Sequence, residues 1–449
     1  MAAFLCRLGD LASGCIMKSS NCFKEMRVER MEIKKMWTRL KVSLIHKFAP
    51  GLLIMMLLLT VASCDSMESK TTDSSASGSE STVTESIKET TKKASETSVS
   101  LDTKDSLPSE AAELADKVES YMEKVEYHGV IFVAQNGEVV FEKAYGSSDH
   151  QTEEANRTDT IFELGSITKQ FTAVAIMQLK EQGLLTLDDP LSLYVPEYPN
   201  AERITIRQLL NMTSGIPDYV TSGALGVGLD ATSQLSFELL EQVSDILTSQ
   251  YTHAQIIDLI SEYELLFEPG TDYSYSNTDY YFLGMIIEAV SGISYFDYLE
   301  QNFFVPLGMQ STSTDPADLT SSGAIILQNG EIYLPSQDRT LSYAAGSICG
   351  TVEDLYLWET AVLNGEILTE ESWTEVFAAG EYDYGFGWSI GPDCYYHGGE
   401  TAGYNTLVMI LPDTDTVIIA LSNTQGPEMF YTNGRVKSAQ IVFSIYDML

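Results

Sequence analysis

Apolar and polar positions divide the chain beyond residue 110 into strand-like and helix-like runs. Segments 129–134 and 138–144 are rich in Val, Ile and Phe and flank Gln135-Asn136-Gly137. Asn-Gly between two such runs predicts a β-hairpin, because both turn positions take positive φ. Segments 404–411 and 416–422 form a second strand pair around Pro412-Asp413. Segment 166–182 is apolar on most faces, through Ile167, Phe171, Val174, Ile176, Met177 and Leu179, and stops at Gly183. That pattern predicts a buried helix. A second helix is expected over 280–290, ending at Ser291-Gly292, and an amphipathic one over 436–448 that packs on a sheet. Segment 221–250 is rich in Gly, Ser and Leu and reads as an insertion or lid. Strands at both ends with helices between them predict an α+β fold, with one sheet built from both chain ends and a helical subdomain inserted. No internal repeat is present.

The first hundred residues have a different character. Lys34, Lys35, Arg39, Lys41 and Lys47 precede an apolar run from Leu52 to Ala62. A basic segment followed by a short apolar one is the layout of an export signal, and the run is too short for a spanning helix. It ends in Val61-Ala62-Ser63-Cys64, which resembles the lipobox of bacterial lipoproteins. That resemblance implies cleavage before Cys64 and a diacylglycerol anchor on its thiol. An ordinary signal peptide and an uncleaved anchor are the alternatives. Residues 1–30 read as extra leader, with Met31 and Met36 as later start candidates. From residue 65 to about 109 the chain is Ser, Thr, Lys and Glu with few large apolar side chains. Such a stretch buries too little to offset its ordering entropy and reads as a solvated tether. The expected organisation is therefore a leader over 1–63, a tether over 64–109 and a folded domain over 110–449. The expected location is outside the bacterial cell membrane, anchored or secreted.

Charge sharpens this picture. The chain carries 26 Lys and Arg against 64 Asp and Glu, a net of −38. Nucleic acid is excluded as a partner through a basic face, since phosphate contacts need Lys and Arg. Residues 1–64 hold ten basic and four acidic side chains, so the cationic leader conceals a still more acidic body. Nearly all that acid is expected on solvated surface, where it would repel anionic ligands and suit neutral or cationic substrates or bound divalent ions. Beyond Cys64 only Cys349 and Cys394 remain. Whether they pair is open, and no metal-like Cys/His spacing appears.

Three motifs carry candidate chemistry. Ser166-Ile167-Thr168-Lys169 is the sole S-x-x-K in the chain. Residues three apart on a helix share a face, so the amine can reach the hydroxyl. A serine needs a base for its proton and donors for the oxyanion, and a lysine serves as base when burial lowers its pKa. Tyr275-Ser276-Asn277 follows the tight Pro269-Gly270 loop and precedes a buried helix. Y-x-N also occurs at Tyr198 and Tyr431, in a Pro-flanked turn and a polar loop, and only the context of Tyr275 favours a cleft. His397-Gly398-Gly399, before Glu400, is the sole H-x-G and stands at a β-rich run. Its glycines would let a substrate approach a strand edge.

This order of motifs resembles the serine hydrolases of the class C β-lactamase and penicillin-binding-protein type. The phrases Phe162-Glu163-Leu164-Gly165, Leu209 to Tyr219, Tyr343-Ala344-Ala345-Gly346-Ser347 and Tyr384-Gly385-Phe386-Gly387-Trp388 are similar too. The resemblance implies an antiparallel sheet flanked by helices, with the site between it and a mostly helical subdomain. It implies Ser166 as the acylated nucleophile and proton transfer shared by Lys169 and Tyr275, without deciding which is the base. A cationic Lys169 beside Tyr275 would lower the phenol's pKa. Asn277 would hold Lys169 and a substrate amide. The N–H groups of Ser166 and Glu400 would form the oxyanion hole beside Gly399. No metal or organic cofactor is implied. His397 stands where β-lactamases of this type usually show Lys. A mostly neutral imidazole suits a substrate carboxylate less well, which ranks esterase, D-alanyl-D-alanine peptidase or D-aminopeptidase activity on a small or peptidoglycan-like substrate above β-lactam hydrolysis. A non-turnover penicillin-binding sensor is the competing reading.

Overall fold

A computed structural model describes residues 107–225, 236–378, 380, 382–426 and 437–449, all within one compact unit, Glu96–Leu449. Cys64, the leader, most of the tether and Tyr431 lie outside the described residues. The elements that position the site are, in chain order, α1 (Ser109–Met122), β1 (Gly129–Gln135), β2 (Glu138–Tyr145), α2 (Thr168–Glu181), α3 (Phe237–Thr248), α4 (His253–Ser261), α5 (Asn277–Ser291), α6 (Arg339–Gly346), α7 (Val352–Leu363), β3 (Ser389–Ile390), β4 (Tyr395–Thr401), β5 (Tyr404–Leu411), β6 (Thr416–Ser422) and α8 (Ser438–Tyr446).

The six main strands form one antiparallel sheet in the order β2-β1-β6-β5-β4-β3. The N-terminal hairpin thus pairs with the C-terminal one, Ile131 opposite Ala420, and the sheet is built from both chain ends. Asn136 and Gly137 take φ of 55° and 76° in the hairpin turn, as Asn-Gly requires.

The central strands β1, β5 and β6 alternate in what they bury. Val130, Phe132, Val408, Ile410, Ile419 and Leu421 face the main core with α2, α5 and α7. Ile131, Val133, Leu407, Met409, Ile418 and Ala420 face a second core closed by α1 and α8. A period of two with both faces apolar defines a sheet covered on both sides. The second layer explains why both terminal helices carry an apolar face. Ile441, Val442 and Ile445 of α8 pack against this side of the sheet, and Tyr127 hydrogen-bonds Ser438 at 3.1 Å.

Three local expectations change. The helix expected over 166–182 begins as a 3-10 turn, Gly165–Ile167, and becomes α-helical at Thr168. Gly165 at φ 57° sets that turn. The helix expected from residue 280 starts at Asn277. Segment 221–250 contains a true amphipathic helix, α3, capped by the Ser236 hydroxyl accepting from Leu239 N–H at 3.2 Å.

The acid is also less superficial than charge arithmetic predicted. Asp218, Asp279, Asp354 and Glu359 are buried. Burial raises the carboxyls of Glu163 to about 7 and Glu359 to about 8. The enclosed interior disfavours their charged forms, so part of the formal net charge is absent from the folded protein near neutral pH. Cys349 and Cys394 are both buried free thiols. Among the described residues no single helix is long and apolar enough to cross a membrane.

Candidate active site

The site forms where the start of α2 meets the end of β4. Leu164 to Ser166 runs so close to β4 that a side chain on Gly399 would overlap the Leu164 carbonyl oxygen. A Cβ on Gly165 would stand 2.9 Å from Glu400 N and 3.1 Å from Gly399 C. Two glycines therefore make the approach possible, one on each side. β4 pairs with β3 only at Tyr395 and Tyr396. From His397 onward, among the described residues, its outer edge has no neighbouring strand.

Lys169 is fully buried in the first turn of α2. Its Nζ lies 3.0 Å from Ser166 Oγ, 2.8 Å from Asn277 Oδ1 and 2.8 Å from the Ala345 carbonyl oxygen. The Ala345 carbonyl is available because it lies in the last turn of α6, where carbonyls have no intrahelical partner; the same helix is also broken at Tyr343, whose φ of 38° and ψ of −129° are not helical. The adjacent Ala344 carbonyl accepts from Thr172 Oγ1 at 2.7 Å. Burial pulls the Lys169 amine down to about 7, against the opposing pull of Asp218 and Asp279. A neutral amine has two N–H bonds and one lone pair. Asn277 Oδ1 and the Ala345 carbonyl can take the two protons, which leaves the lone pair for the Ser166 O–H.

Tyr275 lies across the same space. Its ring centroid is 4.8 Å from Lys169 Nζ, and its hydroxyl meets that of Ser166. The ring is half-buried, but the hydroxyl is enclosed, and that burial raises its pKa well above the ordinary phenol value. The phenolate expected from a neighbouring cation is thus not favoured. Desolvation of the oxygen outweighs the lysine, whose own charge is suppressed by the same burial.

Asn277 is held by Asp218. One carboxylate oxygen accepts from both Asn277 N–H at 2.8 Å and Nδ2 at 2.7 Å. The other accepts from the N–H groups of Val220 and Thr221 at 2.7 and 3.0 Å. With Nδ2 committed to Asp218, Oδ1 is directed at Lys169, and the amide orientation is fixed. Asp279, fully buried beside this group, bonds Ser214 Oγ at 2.6 Å, and burial raises its carboxyl well above the usual range.

His397 is buried, with Nδ1 2.6 Å from the Gly398 carbonyl oxygen and Nε2 3.1 Å from the Tyr384 hydroxyl. The carbonyl can only accept, so Nδ1 carries the proton and Nε2 accepts from Tyr384. Burial first, and Lys169 second, push its pKa down to about 3. The neutral imidazole expected at this position is the form the geometry holds.

Glu400 turns its side chain into an ion pair with Lys437 at 2.9 Å and accepts from Asn405 Nδ2 at 2.9 Å. Every sequence-predicted site residue from Ser166 to Glu400 thus converges here, and Tyr198 lies instead in the main core. Asp218, Tyr384 and Lys437 join the site without a motif of their own, and nothing in their local sequence marks them as partners of Asn277, His397 and Glu400.

A serine beside a buried lysine and a tyrosine, between an antiparallel sheet and a helical subdomain, defines a serine-hydrolase architecture of the β-lactamase and penicillin-binding-protein kind. The model of the β-lactamase family matches residues 114–441, and the chain belongs to that family. Penicillin-binding protein 4* of Bacillus subtilis is 29% identical over 349 residues, covering 72% of this chain and 73% of that one. The fold matches the octameric penicillin-binding protein homologue from Pyrococcus abyssi at TM-score 0.61 and 24% identity, over 74% of this chain and 76% of that one. It matches the D-stereospecific amidohydrolase from Streptomyces sp. equally, at TM-score 0.61 and 23% identity, over 75% and 99% of the two chains.

Proposed function

We propose that this protein hydrolyses an ester or amide through an acyl-enzyme on Ser166, as an esterase, D-alanyl-D-alanine peptidase or D-aminopeptidase. The observation that carries the reading is the Lys169 amine, 3.0 Å from Ser166 Oγ and with a pKa lowered to about 7. In the acylation step Ser166 Oγ bonds the carbonyl carbon while its proton passes to Lys169 Nζ. The carbon's bond to the leaving atom then breaks, and that atom takes a proton through the Tyr275 hydroxyl, which Lys169 resupplies. Tyr275 stays protonated between transfers, consistent with its raised pKa. The N–H groups of Ser166 and Glu400 stabilise the oxyanion. Water then attacks the acyl carbon as Lys169 Nζ takes its proton, the bond from that carbon to Ser166 Oγ breaks, and Oγ takes the proton back from Lys169.

Neutral His397 supplies no cation for a substrate carboxylate, which favours esters and amides over β-lactams. Export and lipid anchoring at Cys64 belong to the same proposal, supported by the basic and apolar runs that end at that cysteine. The test is a panel on purified protein: a p-nitrophenyl ester, a D-amino acid amide and nitrocefin, each with a Ser166→Ala control. Ester or amide turnover that vanishes in the variant, with slow nitrocefin hydrolysis, supports the reading. Undiminished turnover by Ser166→Ala, or fast nitrocefin hydrolysis, contradicts it. A burst without turnover identifies a sensor.

A further inference from the structure

Ser166 opens on a cavity of about 510 Å³, within the range of small-ligand sites. Its lining is not uniform. Close to Ser166 it is polar, formed by Asn277 and the open edge of β4. Elsewhere it is walled by Tyr219, Leu225, Leu240, Val243, Leu247 and Leu341. The helix α3 makes much of that wall. Leu240, Val243 and Leu247 recur at helical spacing on its inward side, while Glu238, Glu241 and Asp245 are exposed on the other. The ionised side chains along the described lining are Glu400 and Lys437, which pair with each other at 2.9 Å.

The direction of this compartment follows from the proton path. The leaving atom must stand within reach of the Tyr275 hydroxyl, whose ring packs beside His397 and Tyr384, with centroids 6.2 and 6.4 Å away. The acyl substituent points away from that wall, toward Asn277. Tyr219, Val220 and Thr221, which directly follow the Asp218 that holds Asn277, begin the apolar compartment on that side.

We propose that the compartment receives an uncharged, apolar acyl group of medium length, such as a hydrocarbon chain or an aromatic ring. The inference rests on the hydrolase reading above and names the substrate class for it. Among the described residues, a carboxylate on that group would lose its hydration and meet no cation along the lining outside the Glu400 pair, a costly burial.

The experiment is a series of p-nitrophenyl esters from acetate to octanoate, with a hemisuccinate-type ester of matched length. The kcat/KM should rise about fourfold per added methylene until the compartment is full, as transfer of apolar surface from water predicts. The carboxylated ester should be at least roughly tenfold slower than its apolar match. Val243→Asn and, at a half-buried position better able to tolerate it, Leu247→Gln should each lower the hexanoate-to-acetate ratio about fivefold or more. Acetate and hexanoate hydrolysed within twofold by the unaltered protein would overturn the proposal, as would an unchanged ratio in both folded variants. Absence of Ser166-dependent hydrolysis at every chain length would instead overturn the hydrolase reading itself, and this inference with it.

Discussion

Asp218 makes no contact with Ser166, yet the geometry gives it leverage over the whole site. One of its oxygens accepts both donors of Asn277, at 2.8 and 2.7 Å, and so keeps Asn277 Oδ1 on Lys169. Its charge also raises the Lys169 pKa against burial. Asp218→Asn therefore has two separable consequences. The substituted amide cannot accept as strongly, and it brings its own N–H₂ toward donors that need an acceptor. A hydrogen bond to a charged group is worth about 2 kcal/mol. If the Asn277 side-chain bond is lost where it positions the base, kcat/KM should fall about 30-fold on its plateau. Removal of the negative charge also lowers the Lys169 pKa further, so the acid limb of the kcat/KM profile should move to lower pH. The assay is a pH–rate profile on one ester, with thermal melting to show that both proteins are folded. An acid limb that moves to higher pH, or an unchanged plateau, would refute the argument that Asp218 acts through Asn277 and Lys169.

In the unaltered protein the acid limb should fall near pH 7, because only the neutral amine takes the serine proton and burial places its pKa at about 7; a profile flat from pH 5 to 9 would count against it. Gly399→Ala should destabilise the fold and remove activity together, since the added methyl overlaps the Leu164 carbonyl oxygen, by roughly 1–3 kcal/mol for overpacking. A folded, active variant with an unchanged melting temperature would show that β4 can retreat. Glu359, fully buried beside Gln170, has its carboxyl raised to about 8, because burial outweighs the hydrogen bond from Gln170. The folded state then holds a proton that the unfolded chain releases from its ordinary 4.5, so stability is lost as pH rises between those values. Glu359→Gln should raise the melting temperature at pH 8 and change it little at pH 4.5; equal effects at both would contradict the linkage.

Much of the catalytic constellation was legible because its spacing is local or its context distinctive. Ser166 and Lys169 lie one turn apart, Tyr275 stands just before a buried helix, and His397 opens a Gly-Gly stretch in a β-rich run. The hairpin at Asn136-Gly137 and the strands around Pro412 followed from turn chemistry and alternation. What stayed hidden depends on the third dimension. Asp218 precedes Asn277 by 59 residues and meets it only after folding. Lys437 reads as an ordinary residue before a C-terminal helix until it meets Glu400. Net charge placed the acids on the surface, because composition cannot distinguish a solvated carboxylate from one enclosed like Asp279 or Glu359. The expected Tyr275 phenolate failed for the same reason: a neighbouring lysine can be inferred from motif order, but desolvation depends on how tightly the site is closed. Helix α3 was obscured by the Gly- and Ser-rich residues around it, although its own stretch is strongly amphipathic.

The covalent state of Ser166 during turnover tests the acyl-enzyme mechanism most directly. Intact-mass measurement of the protein, quenched in acid seconds after mixing with p-nitrophenyl hexanoate, should show one added hexanoyl group. Peptide mapping should place it on Ser166, Ser166→Ala should lack it, and the adduct should decay as the ester is consumed. Turnover of the ester with no adduct on Ser166, or an adduct that persists in Ser166→Ala, would contradict the acyl-enzyme mechanism.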